Sequence, residues 1–206
     1  MVKVLAVADE EVLGFESRLP GLDVDLVLSA GDLPWGYLEQ LSEALGVPCG
    51  FVPGNHDPAT DGGDGPRGWT NLDRAVADVG GLRIAGLGGC VRYKSGPHQH
   101  SQAEFSADAD RLATVASSVS VDVVLTHAPP LGLGDEPDGP HVGVEALHPL
   151  LAALQPTWHL HGHIHPFGML KPDRHVGDTV VRNVIPWQVI DVVPRAAAVP
   201  STHERG

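Results

Sequence analysis

The chain has 206 residues, with 26 Asp or Glu against 13 Lys or Arg and a net charge of −13 at neutral pH. That length suits one α/β domain with an ample core, and the acidity offers no broad basic surface for a phosphate backbone, so general nucleic-acid binding is not expected. No apolar run approaches the ~20 residues of a membrane span, and the chain starts in an apolar segment without the charged start and cleavage site of a signal peptide; no membrane association and a cytoplasmic location are expected.

Met1 to Ala8 is nearly all Val, Leu and Ala and stops at Asp9-Glu10-Glu11. Val24 to Ala30 stops at Gly31-Asp32, and after it Leu38, Leu41 and Leu45 mark one face of a helix. Phe51-Val52-Pro53 stops at Gly54-Asn55-His56-Asp57, followed by a Gly-rich loop, Thr60 to Gly68. Gly86-Leu87-Gly88-Gly89 ends a strand and leads to Arg92-Tyr93-Lys94, where the guanidinium fork of Arg92 suits an oxyanion and makes it a candidate substrate-binding residue, with the aromatic Tyr93 beside it.

A second helix is expected around Leu112, Val115, Ala116 and Val119, with Ser106 as N-cap and Asp108 and Asp110 in its first turn. Val121 to Leu125 is rich in β-branched residues and stops at Thr126-His127. After a loop from Gly132 to Gly143, a third helical pattern spans Val144 to Leu154, with Pro149 near its first turn. Thr157 to Leu160 then runs into Gly162-His163-Ile164-His165. His159 and His161 alternate with Leu160 and read as residues supporting the ligands from behind or as packing residues, while His141, His148, His175 and His203 read as surface residues. The domain is expected to span 1–194 and residues 195–206 to form a flexible tail. Cys49 and Cys90 are too few for a disulfide framework, so buried reduced thiols are expected.

Five apolar runs thus end on polar clusters. Continuous apolar runs of this length read as strands buried on both faces, and in an open α/β sheet such strand ends share one edge, where ligands gather. Asp and Asn supply oxygen, His supplies imidazole nitrogen and no cysteine joins them. The donor set suits Mn, Fe or Zn.

The order of these clusters resembles the calcineurin-like metallophosphoesterases, whose signature is D-x-H, G-D, G-N-H-D, a lone His and G-H-x-H. Four of the five match without change; in the first, Glu11 stands where the family usually has His. Periodicity alone supports only alternating α/β, but the resemblance implies a four-layer α/β/β/α sandwich. It also implies two divalent metal ions, one held by Asp9, Glu11, Asp32 and His165 and the other by Asp32, Asn55, His127 and His163. A carboxylate at position 11 favours Mn or Fe, with Zn possible. The resemblance further implies attack by a metal-bridging hydroxide, with His56 as a catalytic residue oriented by Asp57. The activity implied is metal-dependent hydrolysis of a small phosphorylated substrate, a phosphodiester being favoured. The alternative is a noncatalytic metal-binding scaffold or interaction domain of the same fold.

Overall fold

The computed structural model of the protein describes residues 1–12, 14, 21–60, 64–169 and 171–196. The first two apolar runs form β1 (Val2–Val7) and β2 (Leu26–Ser29), followed by α1 (Trp35–Leu45), β3 (Cys49–Phe51), β4 (Trp69–Asn71), β5 (Ala75–Val79) and β6 (Leu82–Leu87). Short β7 (Cys90–Val91) and β8 (Gln99–His100) pair with each other ahead of α2 (Gln102–Ala116), β9 (Val123–Thr126), α3 (Leu147–Leu154) and β10 (Trp158–His161). β11 (Arg174–Val176), β12 (Thr179–Asn183) and β13 (Trp187–Val192) follow. The chain is mixed α/β, as expected.

One sheet has the order β13-β1-β2-β3-β4 and another β11-β12-β10-β9-β6-β5. Within the first, β1 to β4 are parallel and only β13 is reversed. Within the second, β6, β9, β10 and β12 are parallel, with β5 and β11 as reversed edges. All strands expected to carry a site residue therefore deliver their carboxyl ends to one edge of each sheet.

Alternation decides what each face buries. Val4, Ala6, Leu26 and Leu28 of the first sheet share an apolar cluster with Ile84, Val123, Leu125 and Leu160 of the second, so the sheets pack against each other. The intervening Leu5, Val7 and Val27 instead meet Leu38 and Leu41 of α1. On the second sheet Ala85, Val124 and Val181 meet Phe105 and Leu112 of α2 and Leu147, Leu150 and Leu151 of α3. Strands covered on both sides need no polar residues until they end, which explains the abrupt change from apolar runs to ligand-type side chains.

Helix α2 starts earlier than expected. Its N-cap is Ser101, not Ser106: the Ser101 side chain accepts from the Glu104 amide while Glu104 reaches back to the Ser101 amide. This S-x-x-E box outcompetes the acidic pair further on, and the buried face becomes Phe105, Ala109, Leu112 and Ala116, leaving Val115 63% exposed. Pro149 lies in the first turn of α3, where the missing N–H has no helical partner to lose. Arg195, assigned to a tail from the sequence, is tied down: its amide donates to Asp122 Oδ1 (2.5 Å) and its guanidinium to the carbonyls of Val121, Leu154 and Gln155. Residues 197–206 and part of the Thr60 to Gly68 loop lie outside the described residues. Both cysteines are free and buried, and burial pushes each thiol up to about 12. Among the described residues no helix is long and apolar enough to cross a membrane.

Leu160 is fully enclosed between the sheets. Leu160→Ala is expected to cost about 2–5 kcal/mol through lost burial and a residual cavity, whereas exposed Val115→Ala should stay within about 0.5 kcal/mol of the parent. Urea unfolding midpoints measure both; equal effects would contradict this assignment of faces.

Candidate metal centre

Each strand end turns sharply before its ligand. Asp9 follows β1 at φ 61°, Asp32 follows β2 at φ 57° and His163 follows β10 at φ 68°, all in the left-handed region that Asp and His tolerate better than most residues. Three left-handed residues of ligand type at one edge indicate that the surroundings hold the backbone there. Glycines make the close approach possible: a Cβ on Gly31 would run into the Gly54 backbone, and one on Gly162 into the Asp9 carboxylate.

His127 lies at the centre and is fully buried. Its Nδ1 faces the Ala30 carbonyl at 2.7 Å, so Nδ1–H donates there and Nε2 is the nitrogen turned to the site. Nε2 lies 3.0 Å from Asn55 Oδ1 and 3.3 Å from Asp32 Oδ2. Asn55 is oriented in turn by its Nδ2, which donates to the Tyr93 hydroxyl at 3.3 Å. Three acceptor-type atoms therefore converge, and only a proton on Nε2 or a cation reconciles them. Ligand atoms of Asp9, Asp32 and His127 all lie within 4.8 Å of one another.

The protonation states express the same shortage of positive charge. Burial raises the Asp9 carboxyl to about 6, and Asp32 beside it adds to the rise against the opposing His127 and His163 amide. Burial also works to raise Asp32, yet the His127 imidazolium and the His56 amide outweigh it and hold the carboxyl down at about 2. For His127 burial works downward, and Asp32 and Asp9 overcome it to raise the imidazole to about 9. In the metal-free protein the His127 proton thus occupies the role of a cation. A divalent ion fits this donor set, since it replaces that proton and neutralises both carboxylates.

The G-H-x-H segment supplies two more imidazoles. The His163 amide donates to Asp9 Oδ2 at 2.9 Å, and its Nε2 meets the Pro140 carbonyl at 2.9 Å, leaving Nδ1 as the lone-pair nitrogen. Burial, then nearby His127, lowers the His163 imidazole to about 3, so it is neutral and ligand-ready. His165 turns Nδ1 to Glu10 Oε1 at 2.9 Å and places Nε2 3.9 Å from Asp9 Oδ1. A carboxylate behind a ligand imidazole fixes its tautomer and raises its basicity.

The first motif differs from the sequence expectation. Glu10 makes the contact with His165, while Glu11 is exposed and makes no contact with the other ligands among the described residues. Asp9 is left-handed at φ 61°, and the residue directly after it, Glu10, carries the carboxylate that meets His165.

Asp57 and Arg92 are also engaged elsewhere than expected. Asp57 is buried and its Oδ2 accepts from the amides of Asp32 (3.0 Å) and Gly54 (2.7 Å), bracing two ligand loops against each other instead of contacting the His56 ring. Arg92 donates to the Gln99 carbonyl and to Glu104, because the capping-box carboxylate lies within its reach, so it does not present its fork to the centre. The His56 amide donates to Asp32 Oδ1 at 2.7 Å and its residue is exposed at the edge of the site.

Several contributors carried little sequence signal. His141, read as a surface residue, lies with its ring centroid 5.5 Å from that of His163 on a loop whose Pro140 fixes the His163 tautomer. It also forms a group with Glu136 and Asp138, but Asp138 is bonded to His141 and Glu136 lies 3.5 Å from Lys171, so those charges are already paired. His159, behind the sheet, donates from Nε2 to the Thr126 hydroxyl at 2.8 Å, whose own hydrogen goes to the Ala128 carbonyl at 2.6 Å. That chain clasps the backbone on both sides of His127.

Comparison with known proteins gives a family and a fold. Residues 8–167 match the profile of the calcineurin-like phosphoesterase family. One solved structure is similar with a TM-score of 0.63 and 17% identity, covering 88% of this chain and 89% of the other. The crystal structure of TT1561 of Thermus thermophilus is similar with a TM-score of 0.62 and 17% identity, covering 87% of each chain. A Vps29 single mutant from Entamoeba histolytica gives a TM-score of 0.44 at 17% identity, with 88% of this chain and 73% of that one covered. A search of curated proteins gave no match.

Two outcomes follow for the metal. Because His127 is held protonated up to about 9 and Asp9 up to about 6, binding must expel protons, and affinity should climb about tenfold per pH unit between roughly 6 and 9, then level off. Calorimetric titration with Mn in buffers of different ionisation enthalpy measures the released proton; a pH-independent affinity would refute the protonated His127. Glu10→Gln should weaken metal retention by about 10–100-fold by loosening His165, with Glu11→Gln near the parent. Competition with a chelator separates the two, and the reverse order would restore Glu11 as the ligand.

Proposed function

Because the chain belongs to the calcineurin-like phosphoesterase family, for which metal-dependent phosphoester hydrolysis is the implied chemistry, we propose that it hydrolyses a small phosphorylated molecule, with phosphodiesters favoured. The observation that carries this reading is the convergence of Asp9, Asp32 and His127 ligand atoms with Asn55 Oδ1 at a buried edge. Asp9, Asp32 and His165, with Glu10 behind His165, would hold one divalent ion; Asp32, Asn55, His127 and His163 would hold a second. Mn or Fe suits the oxygen-rich first set and Zn is tolerated by the imidazole-rich second. When bound, the ions supply polarisation of the phosphoryl group and activation of a water-derived hydroxide as nucleophile.

The protein's own groups do the rest. Asp57 ties the Asp32 and Gly54 loops together, so the Asp32 carboxylate and Asn55 keep their spacing. His56, fixed through its amide and with no hydrogen bond at its ring among the described residues, is placed to give a proton to the leaving oxygen as the phosphorus–oxygen bond breaks. A diester is favoured by charge. Arg92 is spent on Glu104, Glu10 adds a carboxylate to the centre, and the chain carries −13 overall, so a monoanion is repelled less than a dianion. The two free buried cysteines accord with a reducing, cytoplasmic setting.

His56→Ala should leave metal content near the parent's and cut turnover of a phosphodiester by about 10²–10⁴. Metal analysis beside steady-state kinetics on Mn-, Fe- and Zn-loaded protein tests this. Turnover that survives the substitution would remove His56 from the chemistry, and an absence of turnover on mono- and diesters with every metal would favour a noncatalytic scaffold.

A further inference from the structure

Beside the centre, a cavity of about 390 Å³ opens between the Asp32 and His56 loops and the start of α1, lined among others by Leu33, Pro34, Trp35 and Pro58. We propose that this cavity is the leaving-group subsite and that it takes a flat, neutral, apolar alcohol packed against Trp35. The proposal rests on the phosphoester reading above and adds the identity of the group that departs.

Three observations carry it. The first is position: Asp32, a ligand, and His56, the proton donor, both line the cavity, so an ester whose phosphorus sits at the centre places its departing oxygen at His56 and the remainder of that alcohol in this space. The second is chemistry. The walls away from the centre are two prolines, a leucine and an indole, and among the described residues no Lys or Arg lines the cavity, while Asp32 and Asp57 do; an anionic alcohol would meet the two carboxylates, and a neutral one finds apolar contact. The volume suits one or two fused rings, at the small end of ligand pockets.

The third is an aromatic wall. Trp35 begins α1 behind Pro34 and lines the cavity, whereas Trp69 donates its Nε1 to the Leu38 carbonyl at 3.2 Å and is structural. A flat ring lying along the Trp35 indole would gain the contact that paired aromatics make.

The test uses methyl diesters with a p-cyanophenyl, a phenyl or a trifluoroethyl leaving group, on the Mn-loaded full chain, with each variant compared to the parent so that intrinsic reactivity cancels. Trp35→Ala should lower kcat/KM for the two aryl esters roughly tenfold more than for the alkyl ester, the scale of a lost aromatic contact. Trp35→Phe, which keeps a flat face, should restore both aryl esters toward the parent. Calorimetry with p-cyanophenol alone should show binding to the parent that Trp35→Ala loses. If hydrolysis occurs and Trp35→Ala lowers all three esters equally with p-cyanophenol binding intact, the subsite is overturned while the hydrolase reading stands. If no ester is cleaved but p-cyanophenol binding still depends on Trp35, the subsite stands and the hydrolase reading falls.

Discussion

Two carboxylates, Asp9 and Asp32, are buried side by side where the edges of two sheets meet, and much of the local structure exists to make that bearable. Like charges in a dry place repel, and the group with less compensation takes up a proton, which is why Asp9 is pushed up while Asp32 is held down. The amide of His163 stabilises one carboxylate and the amide of His56 the other. Neither amide could point inward if its loop ran on in extended conformation. The left-handed turns, the close glycines and the Asp57 brace thus answer one electrostatic demand, and His127 completes it by carrying a mobile positive charge at the seam.

The sheets themselves contribute through direction rather than contact. Parallel strands put Asp9, Asp32 and Asn55 at the edge of one sheet and His127, His163 and His165 at the edge of the other. The centre therefore depends on how the sheets face each other, and the apolar cluster containing Leu28, Leu125 and Leu160 sets that relation from about the middle of the molecule. The acidic half and the imidazole half come from different sheets, so neither alone would assemble the site.

Much of this was legible in the sequence because a strand buried on both faces admits no polar residue, and its end is then marked by the first one. The strand-terminal Asp, Asn and His residues stood out for that reason, and α1 and α3 fell where leucine spacing put them. What could not be read was direction after a turn. Glu10-Glu11 offers two adjacent carboxylates after Asp9, and which of them reaches His165 depends on the backbone path after β1, where Asp9 is left-handed. Arg92 is a free guanidinium in sequence but lies near Glu104 once α2 is capped at Ser101. Asp57 next to His56 suggested a side-chain pair, yet two unsatisfied amides across the loop were better partners for a buried carboxylate. Pro140 and His141 carry no local pattern at all, since their part depends on a contact more than twenty residues away in the chain.

The Pro140 contact changes what the 132–143 loop can tolerate. Surface loops ordinarily absorb insertions and deletions at little expense, but this one ends in a carbonyl that decides which nitrogen of His163 bears hydrogen. Lengthening it by a residue would move that carbonyl, letting the ring choose the other tautomer and place a hydrogen on the nitrogen that now keeps its lone pair. Relatives that keep all the signature residues could therefore differ in metal occupancy through loop length alone, a kind of variation that a motif comparison would score as silent.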